Sequence, residues 1–374
     1  MNYDVIIIGA GSMGMAAGYY LTNKGKQVLL LDAYDPPHAE GSHHGETRII
    51  RHAYGEGDSY VPMALRAQSL WLDLQTLIDR ELFIQTGVLN VGKPESEFIR
   101  NIKKSANTYA LSVEELTTLE INDRWKGFNV PKGLIGYYEK NSGILLSEDC
   151  IRAYRDLAVM GGATLKTHSP VREITHDNNR VIVKTKSEVF TGDSLIVTAG
   201  SGTPKILSLI GLESPLQVVR KTFSWFDSDE SIYSAENFPA FAFDLPTETY
   251  YGFPGANGSG VKIGRNDGGY PISDPNKLKE FGNYQEDKQD VIDFSSKYLS
   301  DVKDHSIGKT CTYTNTPDGN FIIDKHPNHN NVLIACGFSG HGFKFSSVIG
   351  EILSQLNTEG KSDFDLRQFS MDRF

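Results

Sequence analysis

Asp4-Val5-Ile6-Ile7-Ile8-Gly9-Ala10-Gly11-Ser12-Met13-Gly14 runs an aliphatic strand straight into a G-x-G-x-x-G turn. Working outward, Ser12 to Lys24 suits a helix and Gly25 its C-cap. Gln27 to Leu31 reads as a second aliphatic strand that ends in Asp32. This is a βαβ opening of ordinary size. The first glycine makes the tight turn, the second lets a pyrophosphate approach the backbone, and the third lets helix pack on strand. Free N–H groups and the positive dipole end at the start of the helix then favour phosphate. Gly9, Gly11, Ser12 and Gly14 are therefore expected at the phosphates. Asp32, 23 positions beyond Gly9 and followed by Ala33, is expected at a ribose. An acid at that strand end argues against a 2′-phosphate and leaves NAD and FAD open.

The rest of the chain narrows the class. A length of 374 residues suggests two domains. The formal net charge of −10, with no basic block, makes nucleic acid a poor partner. No run approaches the roughly 18 apolar residues of a membrane span, and Met1 to Asp4 carries no basic leader, so a cytoplasmic protein is expected. The cysteines, Cys150, Cys311 and Cys336, form no CxxC pair and fit neither a disulfide framework nor a zinc site. His43, His44 and His52 have no carboxylate or cysteine at ligand spacing, so no metal is expected.

Tyr60 to Leu82 reads as a long amphipathic helix on Met63, Leu65, Leu70, Leu72 and Leu77. Ser147 to Met160 and Ser346 to Leu356 read as further helices; Val181 to Lys184, Ser194 to Val197 and Asn331 to Ala335 read as strands. Gly200 follows a buried-looking Leu-Ile-Val-Thr-Ala run. Aromatic, Pro-containing stretches lie between. The expected fold class is α/β. A Rossmann-type domain would be assembled from residues 1–80, 142–215 and 312–374. A second, mostly antiparallel β-sheet domain for substrate would come from 81–141 and 216–311.

Three further blocks are distinctive. Pro36-Pro37-His38 is followed by Gly41-Ser42-His43-His44-Gly45-Glu46-Thr47-Arg48-Ile49-Ile50-Arg51-His52-Ala53-Tyr54-Gly55-Glu56-Gly57. Cys311-Thr312-Tyr313 precedes Thr316-Pro317-Asp318 and Phe321-Ile322-Ile323-Asp324, and the third block is Phe338-Ser339-Gly340-His341-Gly342-Phe343-Lys344-Phe345. Together they resemble the signatures of the monomeric sarcosine oxidase and N-methyltryptophan oxidase family, from the first strand to the last helix. The resemblance implies a fold like that of D-amino acid oxidase, with FAD in the Rossmann-type domain. It implies a thioether from Cys311 to the flavin 8α carbon. It places Ser42, His43, His44, Thr47 and Arg48 in the flavin-binding loop, and Gly340, His341 and Gly342 against the flavin.

The same resemblance assigns chemistry. Arg51 and Lys344 match the cations that pair with a substrate carboxylate, a task suited to a forked guanidinium. Lys262 matches the lysine that promotes reaction with dioxygen, and Tyr251 and Tyr313 match aromatic positions of the substrate cavity. The implied enzyme is a monomer that oxidatively demethylates an N-methyl amino acid, sarcosine or N-methyl-L-tryptophan, with dioxygen, giving formaldehyde and hydrogen peroxide. The alternative is a related flavin enzyme acting on another secondary amine, such as a cyclic imino acid or a glycated amino acid. One departure stands out: the family usually has histidine four positions after the lysine, and this chain has Asn266. Gly9 to Tyr20 resembles the sarcosine branch, whereas Gly264 to Gly269 and Ser362 to Leu366 resemble the N-methyltryptophan branch. Ala242 falls where the sarcosine branch tends to be larger.

Overall fold

The computed structural model describes residues 2–177, 179–274 and 277–374. Strand β1, Asn2–Ile8, helix α1, Ser12–Asn23, and strand β2, Val28–Leu31, form the opening unit, within a residue or two of the sequence expectation. β1 lies parallel between β2 and Val189–Val197, and β2 continues to Thr164–Lys166. His329–Cys336 joins the far side of Val189–Val197, also in parallel. The two-residue alternation of a strand divides the aliphatic run between two faces. Val5 and Ile7 join α1 and the helices Ser147–Met160 and Ser346–Glu359 in one core. Ile6 and Ile8 face the hairpin of Glu173–Asp177 and Arg180–Lys184 in another.

Small residues set the helix spacing. A Cβ on Gly350 would lie 2.5 Å from the Cβ of Ala16, so the last helix crosses α1 nearly backbone to backbone.

The second sheet is antiparallel apart from one pair. Its order is Tyr270–Pro271, Gln217–Phe226, Val261–Arg265, Thr249–Phe253, Ala240–Asp244, Val88–Gly92, Ile135–Glu139 and Glu114–Thr117. Only Ala240–Asp244 and Val88–Gly92 run parallel among the described strands of that sheet. His305–Asn315 lies along Gln217–Phe226 and sets Cys311 opposite Lys221. One face is packed with rings, including Phe128, Phe238, Phe241, Phe243 and Phe294. A small sheet of Thr47–Ile50, Gly143–Leu146 and Phe83–Ile84 completes the strands relevant to the site.

One sequence expectation needs correction. The second long helix, α2, spans Val61–Thr76 rather than Tyr60 to Leu82. Leu65, Leu72 and Leu77 are exposed, while Met63 and Leu70 are buried as expected with Val61, Ala64, Ala67, Trp71 and Leu74. The alanines carry the packing there, and counting only large apolar residues missed them. The helix ends where the Gln75 side chain accepts from the N–H of Leu82 and Phe83 and turns the chain back. Arg48 and Arg51 do not share a helical turn. Arg48 sits in the strand Thr47–Ile50 and Arg51 follows it, so the two side chains part.

Candidate active site

A cavity of about 680 Å³ begins at the glycine turn and ends among charged side chains near the second sheet. At the glycine end, backbone leaves no room for Cβ atoms. One on Gly9 (φ +95°) would lie 2.4 Å from the Thr198 carbonyl, and one on Gly14 would lie 2.0 Å from the Gly9 carbonyl. Gly14 thus serves helix–strand contact, while Gly9, Gly11 and Ser12 line the cavity. No side chain caps the first turn of α1, whose N–H groups stay available for phosphate. Asp32 accepts from Ala10 N–H at 2.8 Å and from Tyr34 N–H at 2.9 Å. Each carboxylate oxygen keeps a lone pair, and Asp32 and Ala33 both line the cavity. A turn whose Gly9 admits no side chain, an uncapped helix start and a strand-end acid fit the ADP half of FAD. Gly14→Ala is expected to destabilise the fold by on the order of 3 kcal/mol. Urea titration, with flavin content per chain measured alongside, checks this.

The loop 41–47 folds around Arg48. The guanidinium donates to the carbonyls of Ser42, His44 and Thr47 at 2.7, 2.6 and 2.7 Å. Ser42 Oγ donates to Thr312 O at 2.6 Å, tying the loop to the strand of Cys311. His43 Nε2 accepts the His38 N–H at 3.2 Å, and burial pushes its pKa well down. His44 packs on Phe223 and is pushed by burial, then by Arg48, to about 4. Ser42, His43 and Arg48 line the cavity; His44 and Thr47 stand behind them.

Lys262 also stands behind the loop. Its Nζ donates to Gly45 O at 2.5 Å, Thr47 O at 2.9 Å and Thr47 Oγ1 at 3.0 Å. The ammonium lies 4.1 Å from the Phe253 ring centroid, with Phe223 and Trp225 also near. Burial, then Arg48, lowers its pKa well below the lysine range. The three oxygen acceptors match the three N–H groups of the charged form.

At the far end, Arg51 Nη2 donates to both Glu56 carboxylate oxygens (2.8 and 2.9 Å) and Nη1 donates to Asn90 Oδ1 at 3.0 Å. Its Nε is buried and has no partner among the described residues. Lys344 Nζ donates to His341 O at 2.7 Å and Tyr54 OH at 3.1 Å. Both cations lie over the Tyr54 ring, at 5.4 and 5.1 Å. Burial and the Arg51 charge lower Lys344 to about 7, with Glu56 opposing. Burial raises Glu56, but Arg51, His341 and Lys344 outweigh it and leave the carboxyl at about 2.

His341 is held by Tyr54 OH at 2.8 Å and Gly319 O at 3.1 Å, and burial lowers its pKa to about 4. Gly340 and Gly342 lie tight against the Tyr313 and Phe338 rings, where a Cβ would come within 2.4 and 2.3 Å. Tyr251 and Tyr313 meet hydroxyl to hydroxyl at 3.5 Å, and burial pushes Tyr251 up to about 12 and raises Tyr313 as well. Cys311 shares this wall. Burial raises its thiol pKa, while Arg48, Lys221 and Lys262 oppose. Cys150 lies in the helix-face core and Cys336 in the hairpin-face core, both away from the cavity.

Several residues at or behind the cavity wall carry no assignment from the sequence. Glu56 lines the cavity, while Tyr54 and Asn90 contact the lining cations from behind, and Asn90 shows in the sequence only as an amide inside the aliphatic strand Val88–Gly92. Thr198 and Ala199 follow the strand Val189–Val197, the usual place for a ligand in such sheets. Asn266 and Ala242 also line the cavity, Asn266 at an exposed position.

The buried neutral histidines predict an acid-sensitive fold. His44 and His341 have folded pKa values of about 4, against an ordinary 6.5. The unfolded chain binds their protons first, so stability is full above about 6.5 and is lost as pH falls toward 4. For buried His44 alone the difference is worth up to about 3 kcal/mol. Melting temperatures measured from pH 7.5 to 4.5 are expected to decline through this window.

Comparison with known proteins agrees with this geometry. Residues 4–356 match the family model "DAO: FAD dependent oxidoreductase". The chain is 48% identical to monomeric sarcosine oxidase of Arthrobacter sp. (strain TE1826), over all of this chain and 96% of that one. It is 43% identical to N-methyl-L-tryptophan oxidase of Citrobacter koseri, over the full length of both. Among solved structures, NikD, described as an unusual amino acid oxidase essential for nikkomycin biosynthesis, aligns with a TM-score of 0.87 at 20% identity, covering 99% of this chain and 97% of that one. L-proline dehydrogenase from P. horikoshii aligns with a TM-score of 0.85 at 19% identity, covering 99% and 96%; both likenesses bear on fold alone. Joined to the dinucleotide cradle, these matches show that the chain belongs to the FAD-dependent oxidoreductases, in the family of monomeric sarcosine oxidase and N-methyl-L-tryptophan oxidase.

Proposed function

We propose that the protein oxidises the N-methyl group of an N-methyl amino acid, sarcosine or N-methyl-L-tryptophan. Substrate, dioxygen and water give the amino acid, formaldehyde and hydrogen peroxide. The observation that carries this reading is the pairing of Arg51 with Lys344 over one tyrosine ring, at the end of a cavity that starts in a dinucleotide cradle. FAD, when bound, supplies the two-electron oxidation and the reaction with oxygen. Gly9, Gly11, Ser12, Asp32 and Ala33 would hold its ADP half; Ser42, His43, Arg48 and the 340–342 turn would hold its flavin half, with His44 and Thr47 supporting the loop.

Arg51, with its unpartnered Nε, and Lys344 grip the substrate carboxylate and fix the N-methyl carbon in place. Their charge also disfavours a protonated amine, keeping the lone pair that the oxidation needs. Tyr251 and Tyr313, neutral across the working range, wall the substrate. Lys262, when protonated, places a positive charge beside the loop and favours the reaction with oxygen. Lys344 loses its proton above about 7, so carboxylate affinity is expected to weaken as pH rises through that value. The supporting reasons for a Cys311 thioether are that it is the cavity's cysteine and that four cations, Arg48, Lys221, Lys262 and Arg220, act on its sulfur. A monomer is proposed from the name of the sarcosine oxidase relatives, and a cytoplasmic location from three buried free cysteines.

The test is a panel of sarcosine, N-methyl-L-tryptophan, L-proline and a glycated amino acid, read by peroxide release with wild type and Arg51→Met. Turnover of an N-methyl amino acid that falls at least about a hundredfold in Arg51→Met supports the proposal. Turnover of only the last two compounds would overturn it.

A further inference from the structure

Four consecutive residues after Arg51 have a backbone group hydrogen-bonded to a side chain of the second sheet or of a neighbouring helix. The N–H groups of His52 and Ala53 donate to the Glu139 carboxylate at 3.1 and 3.0 Å. The carbonyls of Tyr54 and Gly55 accept from Ser105 Oγ at 3.1 Å and Asn101 Nδ2 at 2.8 Å, both on the helix Glu97–Thr108. His52 Nδ1 closes the cluster at 2.5 Å from Glu139 Oε1. The stretch 51–56 belongs to no helix or strand, so no backbone ladder sets its path. Arg51 and Glu56 stand at its two ends, and Tyr54, which touches Lys344 and His341, stands within it.

Glu139 is 2% exposed and ends the strand Ile135–Glu139. It does not line the cavity. Glu56 differs. Its side chain is 30% exposed and competes with any ligand for the Arg51 guanidinium, whereas Glu139 holds backbone and leaves the guanidinium free. We propose that Glu139 is a positioning residue for carboxylate recognition, fixing through the His52 and Ala53 N–H groups the direction in which Arg51 and Tyr54 enter the cavity. This rests on the reading of Arg51 and Lys344 as the carboxylate grip. A misplacement of about 1 Å in such a grip is enough to lose two orders of magnitude. A glutamine in place of Glu139 keeps the volume but offers a single acceptor oxygen and sets an NH₂ group near two N–H donors.

The test titrates the flavin-loaded enzyme with acetate at neutral pH, followed by the visible absorption of the bound flavin. Glu139→Gln is expected to weaken acetate about tenfold. The KM for the N-methyl amino acid should rise in proportion, with kcat within about threefold, the pattern of lost ground-state binding. In an Arg51→Met background the same change should leave acetate affinity within about twofold, because the coupling partner is gone. A merely structural role would lower the melting temperature without this coupling. Folded Glu139→Gln that binds acetate as wild type does overturns the proposal. If that variant does not fold, Glu139→Asp carries the test: affinity weakened at least about threefold supports it, and unchanged affinity overturns it. Wild-type enzyme that is fully loaded with flavin yet binds no acetate overturns the grip reading and this proposal with it. Loss confined to Glu139→Gln leaves the grip reading standing.

Discussion

Lys262→Met is expected to slow reaction of the reduced enzyme with dioxygen by about 10²–10³-fold, the usual loss when one preorganised electrostatic donor is removed. Anaerobic reduction by substrate should stay within a few-fold of wild type. The reasoning is local. The Lys262 side chain is 2% exposed, and its Nζ is fixed by Gly45 O, Thr47 O and Thr47 Oγ1. Methionine fills a similar volume without the charge, so the loop keeps its packing and loses its cation. Superoxide forming nearby would lose its counter-charge in a site where solvent screens little. Because burial holds the Lys262 pKa well below the lysine range, the oxygen reaction should itself decline as pH rises through that lowered value. Stopped-flow mixing of reduced enzyme with oxygen measures both effects. An unchanged rate would mean that the positive charge acts elsewhere and would favour an electron acceptor other than oxygen.

Cys311→Ala is expected to abolish acid-stable flavin colour completely. Precipitated wild type should keep its yellow colour in the pellet, and the variant should release it to the supernatant. The side chain is 2% exposed and packs with Phe223 and Trp225, so alanine leaves a small cavity and a folded protein. Flavin that washes from the wild type would withdraw the thioether and leave the noncovalent cradle, since Gly9, Asp32 and Arg48 do not depend on Cys311.

Local chemistry made part of this molecule readable from its sequence. The βαβ opening was legible because its glycines, strand alternation and strand-end acid each answer a separate physical need, all within 32 residues. The helix Ser147–Met160 was legible in full from its apolar spacing. The helix Val61–Thr76 was misjudged because its packing surface is made by Ala64 and Ala67, which a count of large residues ignores. Arg48 and Arg51 showed that spacing alone cannot choose between helix and strand: three residues apart, they share a face in one and part in the other. The roles of Asn90 and Glu139 were invisible for another reason. Their partners, Arg51, His52 and Ala53, lie in a loop distant in sequence, and only tertiary packing of that loop on the second sheet brings them together.

The close crossing of Gly350 on Ala16 has a consequence for biosynthesis. The N-terminal glycine turn rests on Thr198, and the helix that follows it rests on a glycine 24 residues from the end of the 374-residue chain. The first helix meets Ser147–Met160 once that segment exists, but its face against Gly350 stays uncovered until 334 further residues have been made. Long-range closure of this kind delays folding until late in translation. The aliphatic strands pair with one another earlier, and it is the helix face over Ala16 that waits for the last helix.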